Sequence, residues 1–480
     1  MRFGLKLLTV IASSTLLAGC VTSAPDEETV VSAEASEVSE RFENQVGLQL
    51  FMWNWDSIAK ECEFLGASGI DWVQTSPPQE HIRGAAWWTV YQPVSYQIES
   101  RLGTREEFAA MVSTCAEHDV DIIADAVINH MTGQDFGTGY AGTEFTKYEY
   151  SGLYTRADFH NCNLTPNNQI ADYKNLAQVQ TCELLGLSDL DTKSAKVQET
   201  ILTYLNDLLS LGVAGFRIDA AKHIYAPELK AIIDQLPEGT RIIHEVIRGG
   251  GEPVQPEQYL DSGDVWEFDY ARNMRSYFKR EVITPAASRA RFLRFTPSNQ
   301  TVSFVSNHDT ERNGETLSYR DARYFELATA MMLAEDYGQP MLYSSYAFES
   351  YDAGPDERVD GVVDVSCDGV TGPKTEYKNY EWICQHRWQS TINMIGFRDK
   401  AQDAPIVEKH VERGVYGFAR ENIGYFITNV FDTQEMPVSV QTTLPDGEYV
   451  DLIDGNSYQI VGGMLTTTLE PMSAIALLVD

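Results

Sequence analysis

At 480 residues, with 43% hydrophobic and 11% aromatic content, the chain is too long for a single ordinary core and too apolar for disorder to be its main state. One large domain with at least one smaller domain is expected. The formal net charge of -34 argues against nucleic acid as a partner, since phosphate binding draws on clustered Lys and Arg, and it suits a neutral substrate.

The first nineteen residues, MRFGLKLLTVIASSTLLAG, join Arg2 and Lys6 to an apolar stretch too short to span a bilayer, which reads as an export signal over residues 1–19. Leu17-Ala18-Gly19-Cys20 follows; it resembles the bacterial lipobox, in which cleavage precedes the cysteine and its thiol is acylated. Residues 21–44 are rich in Ser, Ala and Glu and nearly free of large apolar side chains, so residues 20–44 read as an acylated Cys20 and an acidic tether. No later segment offers about 18 consecutive apolar residues. The expectation is an exported bacterial lipoprotein, at the outer membrane or cell surface, whose lipid is its membrane attachment. Of the seven cysteines, the six besides Cys20 (Cys62, Cys115, Cys162, Cys182, Cys367 and Cys384) suit disulfides in an oxidising compartment. Zinc is disfavoured because no CxxC pair or HExxH spacing occurs, and connectivity does not follow from spacing alone.

From Val46 onward, eight strand-like runs alternate with helical patterns: VGLQLF, GIDWVQTSP, VDIIADAVINH, VAGFRID, RIIHE, VWEFDY, TVSFVSNHD and PMLYSSYAF. Amphipathic stretches such as Glu106 to His118 and Lys196 to Leu211 carry apolar residues at helical spacing. The pattern predicts an α/β chain, a (β/α)8 barrel over residues 45–130 and 189–398. Residues 131–188, rich in Gly, Asn and Tyr, are far longer than a usual βα loop and read as a domain inserted after the third strand. Residues 399–480 change texture to short alternating runs separated by turns such as Pro445-Asp446-Gly447, and read as a C-terminal all-β sandwich.

Three of the runs end in an acid: Asp219 in GVAGFRIDAAKH, Glu245 in TRIIHEV and Asp309 in TVSFVSNHDT. Residues at the C-terminal ends of barrel strands converge on one mouth, so acids scattered in sequence can meet there. Cleaving an acetal between sugars needs one carboxyl to protonate the leaving oxygen and another to meet the oxocarbenium carbon; a third can stabilise charge. Strand alternation puts Arg217 on the face of Asp219, where its charge would hold that carboxyl ionised, and Asn307 on the face of Asp309. Glu245 emerges at an apolar strand end, where desolvation would raise its pKa toward that of a working acid. His130 and His308 sit beside Asn at strand ends, placed to donate to sugar hydroxyls. The run GAAWWTVYQPVSY supplies Trp87, Trp88 and Tyr91 for a sugar's C–H face and Gln92 for its hydroxyls. Read as a strand, it would send the two tryptophans opposite ways, one buried and one exposed, whereas binding needs both near the mouth.

DAVINH, GFRIDAAKH, the Glu245 segment and FVSNHD together resemble the four conserved regions of the α-amylase family, glycoside hydrolase family 13. WWTVYQPVSY, CELLGLSDL and CQHRWQSTINMIGFR are similar to its animal-type branch, which also occurs in bacteria. The resemblance covers about residues 46–480. It implies Asp219 as nucleophile, Glu245 as acid and base, and Asp309 as transition-state stabiliser, with His130, Arg217, Lys222, His223 and His308 around the sugar. It also implies a structural Ca²⁺ held by the side chains of Asn129 and Asp189 and the main-chain carbonyls of Gln180 and His223, and disulfides pairing Cys62 with Cys115, Cys162 with Cys182 and Cys367 with Cys384. The implied activity is retaining, endo-acting hydrolysis of α-1,4 bonds in starch, glycogen or maltooligosaccharides, by a monomer. The alternatives are a maltooligosaccharide hydrolase or transglycosylase on the same scaffold, or a non-catalytic glycan-binding lipoprotein. Two departures stand out. An ungapped reading of YGQPMLYSSY puts Met341 where relatives place a second chloride-binding arginine beside Arg217 and Asn307, so chloride affinity is expected to be weak or absent. TERNGETLSYRD replaces the Gly-rich mobile loop expected after Asp309.

Overall fold

The computed structural model describes residues 45–280, 295–358 and 361–479. The export signal, Cys20 and the tether lie outside the described residues. Eight parallel strands close a barrel in sequence order: β1 (Gly47–Leu50), β2 (Trp72–Gln74), β3 (Asp121–Ala126), β4 (Gly215–Ile218), β5 (Arg241–His244), β6 (Asp264–Trp266), β7 (Thr301–Phe304) and β8 (Gln339–Ser344), with β8 pairing back to β1. Trp72, Ile123, Ile243, Trp266, Val302, Phe304 and Met341 form one buried apolar cluster contributed by six of these strands. Helices pack outside. α1 (Trp55–Ala67) starts where the Asn54 side chain accepts from the Ser57 amide, and α2 (Arg105–Ala116) starts on a Thr104/Glu107 capping box. Cys62 and Cys115 bridge α1 to α2. α3 (Ala195–Ser210) buries the stripe Val197, Ile201, Tyr204, Leu205 and Leu208 at helical spacing.

The insertion leaves and re-enters the barrel side by side, because His130–Met131 pairs antiparallel with Ser188–Asp189. Between them lie a three-stranded sheet (Phe136–Thr138, Glu144–Thr146, Glu149–Tyr150), a short helix (Leu176–Thr181) and the Cys162–Cys182 bridge. After β8 a long loop, closed by Cys367–Cys384, leads to the helix Gln389–Ala401. All three disulfides pair as the resemblance implied. The C-terminal part is two four-stranded antiparallel sheets, β9 (Ile406–Glu412), β10 (Val415–Arg420), β11 (Gly424–Asn429) and β16 (Ser473–Leu478) in one, and β12 (Met436–Gln441), β13 (Gly447–Val450), β14 (Ser457–Val461) and β15 (Met464–Leu469) in the other. Tyr425, Ile427, Val438, Val440, Leu465 and Ile475 fill the space between them, which makes a sandwich. This domain sits on the helix Arg323–Ala334, where Phe325 through Ala334 are all buried and Arg323 pairs with Asp454 at 2.5 Å. None of the helices among the described residues is long and apolar enough to cross a membrane.

Two local expectations are corrected. WWTVY is a short 3-10 helix, Trp87–Tyr91, not a strand, so its tryptophans do not alternate between faces; Trp87 is buried and Trp88 half-buried. β7 ends at Phe304, so Asn307 and Asp309 belong to the turn beyond it rather than to one strand face. Asn307 serves that turn, its Oδ1 accepting from the amides of Asp309 and Thr310 and from the Thr310 hydroxyl.

Candidate active site

Arg217, near the C-terminal end of β4, is the hub of the barrel mouth. Its register partners are Asp125 on β3 and Ile243 on β5, so one side chain reaches both neighbouring strand ends. Nη1 donates to Asp125 Oδ1 at 2.7 Å and Asp219 Oδ1 at 2.8 Å, while Nη2 lies 2.8 Å from Glu245 Oε1. The guanidinium also lies 4.5 Å over the Trp266 ring, which fixes its plane. Asp219 and Glu245, each one residue past a strand end, therefore meet on adjacent nitrogens of a single cation. Ala220 completes the link. Its backbone is left-handed (φ 49°), a strained conformation for a residue with a Cβ, and its amide donates to Glu245 Oε2 at 2.8 Å.

Three buried carboxyls share that one cation, and a fourth, Asp309, lies within its field. Burial raises Asp125 to about 7 and Asp309 to about 8, with Arg217 opposing the rise in both and Glu245 adding to it at Asp309. Asp219 and Glu245 are also raised by burial, and Arg217 pulls each back. The expectation that Arg217 holds Asp219 ionised is thus qualified, because its charge is divided among three acids. At Asp219 and Glu245 burial favours the protonated form and Arg217 the ionised one, the opposition that a paired acid and nucleophile exploit.

His308 is sandwiched between Phe51 and Tyr91, with ring centroids 4.9 and 5.0 Å away. Gln49 Nε2 donates to its Nδ1 at 2.9 Å, so the proton sits on Nε2, 3.7 Å from Asp309. Burial and the charges of Arg217 and Arg312 hold this imidazole neutral. Tyr91 donates to Asp125 Oδ2 at 2.9 Å. Trp87 packs edge-on to Tyr91 and His308, and Trp88 Nε1 donates to Asp352. Gln92 Oε1 accepts from Thr132 and Gly133, tying this wall to the insertion. His130 spends Nε2 on the Tyr91 carbonyl and faces Asn129 through Nδ1, so its polar contacts in this structure are with protein rather than presented to a sugar. Lys222 donates to the Ile247 carbonyl, pairs with Glu252 at 2.5 Å and lies 5.5 Å from the Tyr173 ring.

The residues expected around a metal come together at the base of the insertion. Asp189 is wholly buried, bonded to Asn129 and to His160 Nδ1 at 2.7 Å, and burial pushes its carboxyl up to about 7. His223 Nδ1 donates to the Val179 carbonyl, bringing its own turn against the helix that carries Gln180. A second cluster, Glu61, Cys367 and His386, is not a metal centre: Cys367 is bonded to Cys384, and Glu61 is occupied by His386 and Arg387. Met341 lies in the apolar cluster with Trp72, Trp266 and Phe304 and brings no charge to Arg217; Arg217 Nε and Asn307 Nδ2 are buried without hydrogen-bond partners among the described residues.

Some residues that adjoin the predicted site residues escaped the sequence reading. Asp125 stood in plain view as an acid inside the apolar run DIIADA, a costly placement that signals a buried partner. Tyr173, 38% exposed beside Lys222, and Tyr351, 53% exposed beside Trp87, lie in loops with no periodicity to mark them.

Residues 91–281 match the alpha amylase catalytic domain and residues 407–473 the bacterial alpha amylase C-terminal domain. An alpha-amylase of Streptomyces violaceus is 41% identical over 91% of this chain and 74% of its own length; one of Thermomonospora curvata is 38% identical over 97% and 78%. A maltohexaose complex of a mutant alpha-amylase I from Eisenia fetida superposes with a TM-score of 0.84 at 32% identity, covering 91% of this chain and 97% of that one. On this likeness, and with all three acids at the mouth of the barrel, the chain belongs to the α-amylase family of glycoside hydrolases, family 13.

Proposed function

We propose that this protein is an endo-acting α-amylase that hydrolyses internal α-1,4 bonds of starch-like glucans with retention of configuration. The observation that carries the reading is the single guanidinium bridging Asp219 and Glu245, with Asp309 close by. Asp219 attacks the anomeric carbon while Glu245 passes its proton to the departing glycosidic oxygen, leaving a glycosyl ester on Asp219. Glu245, now a carboxylate, takes a proton from water as the water oxygen displaces Asp219, which regenerates both groups. Positive charge developing on the ring carbon in the transition state of each step favours ionised Asp309. A non-catalytic glycan binder has no use for this set of buried acids. Two measurements test the reading: NMR of the first-formed product should show the α-anomer, and starch viscosity should collapse well before reducing ends accumulate. First-formed β-anomer, or release of maltose alone from chain ends, would refute it.

Calcium belongs to the same proposal. Asn129, Asp189 and the carbonyls of Gln180 and His223 form an all-oxygen donor set, the kind Ca²⁺ takes, and Asp189 is a buried carboxyl that a divalent cation would relieve. The ion would pin the insertion to the barrel. Thorough chelation should lower the melting temperature, by the equivalent of about 2.7 kcal/mol if free ion had stood at 100 times its Kd. An unchanged melt with no metal found by elemental analysis would dismiss the site.

The Leu17–Cys20 motif supports lipid anchoring at Cys20, with the acidic segment behind it as tether. Cys20→Ser should block processing or shift activity from the membrane fraction to the soluble one. A native mature terminus other than Cys20 would contradict this.

A further inference from the structure

The segment from Ser350 to Ala353 is fastened to the mouth by its backbone. Trp87 Nε1 donates to the Tyr351 carbonyl at 2.9 Å, the Trp87 amide to Asp352 O at 3.3 Å, and Ala86 bridges Ala353. From the other side Arg312, three residues past Asp309, donates through Nη1 to the carbonyls of Tyr351 at 3.0 Å and Ala353 at 3.1 Å. Arg312 is itself fixed, with no side-chain exposure, its guanidinium 3.9 Å over Phe348 and hydrogen-bonded to the Tyr346 hydroxyl. The short segment that replaces the expected Gly-rich loop thus does a different job: it braces the loop after β8.

What that brace presents outward is one ring. Tyr91 and Trp87 are buried, with 8% and 6% exposure, whereas Tyr351 is 53% exposed, and the ring centroids run from Tyr91 to Trp87 at 6.0 Å and on to Tyr351 at 6.2 Å. The row leads from the acids toward solvent. Trp88, half-buried and hydrogen-bonded to Asp352, stands on the same rim. The rim is near the chemistry as well: after burial, the Asp309 charge is the largest influence raising the Tyr351 hydroxyl.

We propose that Tyr351 is a further glucan-binding residue, whose exposed ring, with Trp88, covers the C–H face of a glucosyl unit bound one step outward from the cleavage site. An aromatic face fixed by its own backbone loses little freedom on binding, so the contact favours longer chains over short ones. This deepens the α-glucan reading given above and rests on it.

Because the anchors are backbone carbonyls, Tyr351→Ala leaves the loop's attachments in place. The ratio of kcat/KM for maltoheptaose to that for maltotriose should fall about three- to tenfold in Tyr351→Ala and stay near the parent value in Tyr351→Phe. A binding arm separates this from the activity assignment: on an inactive Glu245→Gln background, the maltohexaose Kd measured by calorimetry should rise by a similar factor when Tyr351→Ala is added. An unchanged ratio and unchanged Kd would overturn the role, and an equal loss in the Phe variant would assign it to the hydroxyl instead of the ring. Absence of activity in the parent protein, with the Kd effect intact, would instead overturn the hydrolase reading.

Discussion

Replacing Glu245 with glutamine should lower kcat on maltooligosaccharides by about 10²–10⁴-fold, the range that a positioned general acid contributes. The substitution is nearly isosteric. Its carbonyl oxygen can still accept from the Ala220 amide, and the neutral side chain imitates the protonated acid that burial already favours at this position. Folding and substrate binding should therefore survive, and the loss should fall on the step that expels the glycosidic oxygen. A substrate whose leaving group needs no proton, such as α-maltosyl fluoride, should recover much of the lost rate. The pH profile gives a second check. In the parent protein the rate should fall as pH rises through the elevated Glu245 pKa, because the acid is then spent; in the glutamine variant that alkaline limb should vanish. A variant with kcat within tenfold of the parent on starch would remove Glu245 from the role.

The elements that carry the chemistry were legible because each needed only local pattern. GFRID and RIIHE end as short buried strands at Ile218 and His244, so the acids that follow them reach the mouth as expected. The helices Arg105–Ala116 and Ala195–Ser210 lie within two residues of the stretches that their apolar spacing marked. Family likeness supplied what pattern could not, such as the three disulfide pairings. What escaped was tertiary. The Trp87–Tyr91 segment reads as a strand by composition, yet Arg101 donates to the Ala86 carbonyl and the Thr89 hydroxyl and holds it in a 3-10 turn. The division of Arg217 among Asp125, Asp219 and Glu245 depends on the register of three neighbouring strands, which no single run encodes. The rim at Tyr351 depends on Arg312 and Trp87, far from it in sequence.

Changing Asp309 to asparagine should abolish most activity and, at the same time, stabilise the fold at neutral and alkaline pH. Burial raises this carboxyl to about 8; Glu245, Asp219 and Asp125 push the same way, and Arg217 only partly offsets them. In the unfolded chain an aspartate titrates near 3.9, so between about pH 4 and pH 8 the folded protein holds a proton that the unfolded chain has released. With the folded pKa above the unfolded one, this group's contribution is greatest below pH 4 and is lost as pH rises through 8. Asparagine cannot ionise, so it removes that loss. The melting temperatures of parent and variant should coincide near pH 4 and separate with rising pH, the variant melting higher at pH 8. Asp309 keeps 31% of its side-chain surface exposed, and the cluster shares its protons, so the separation measures the group of acids rather than one residue. A variant that melts below its parent at pH 8 would show that the Asp309 charge is stabilised by contacts other than Arg217. The charge that weakens the resting fold is the one that the positive transition state needs, so the site trades stability for catalysis.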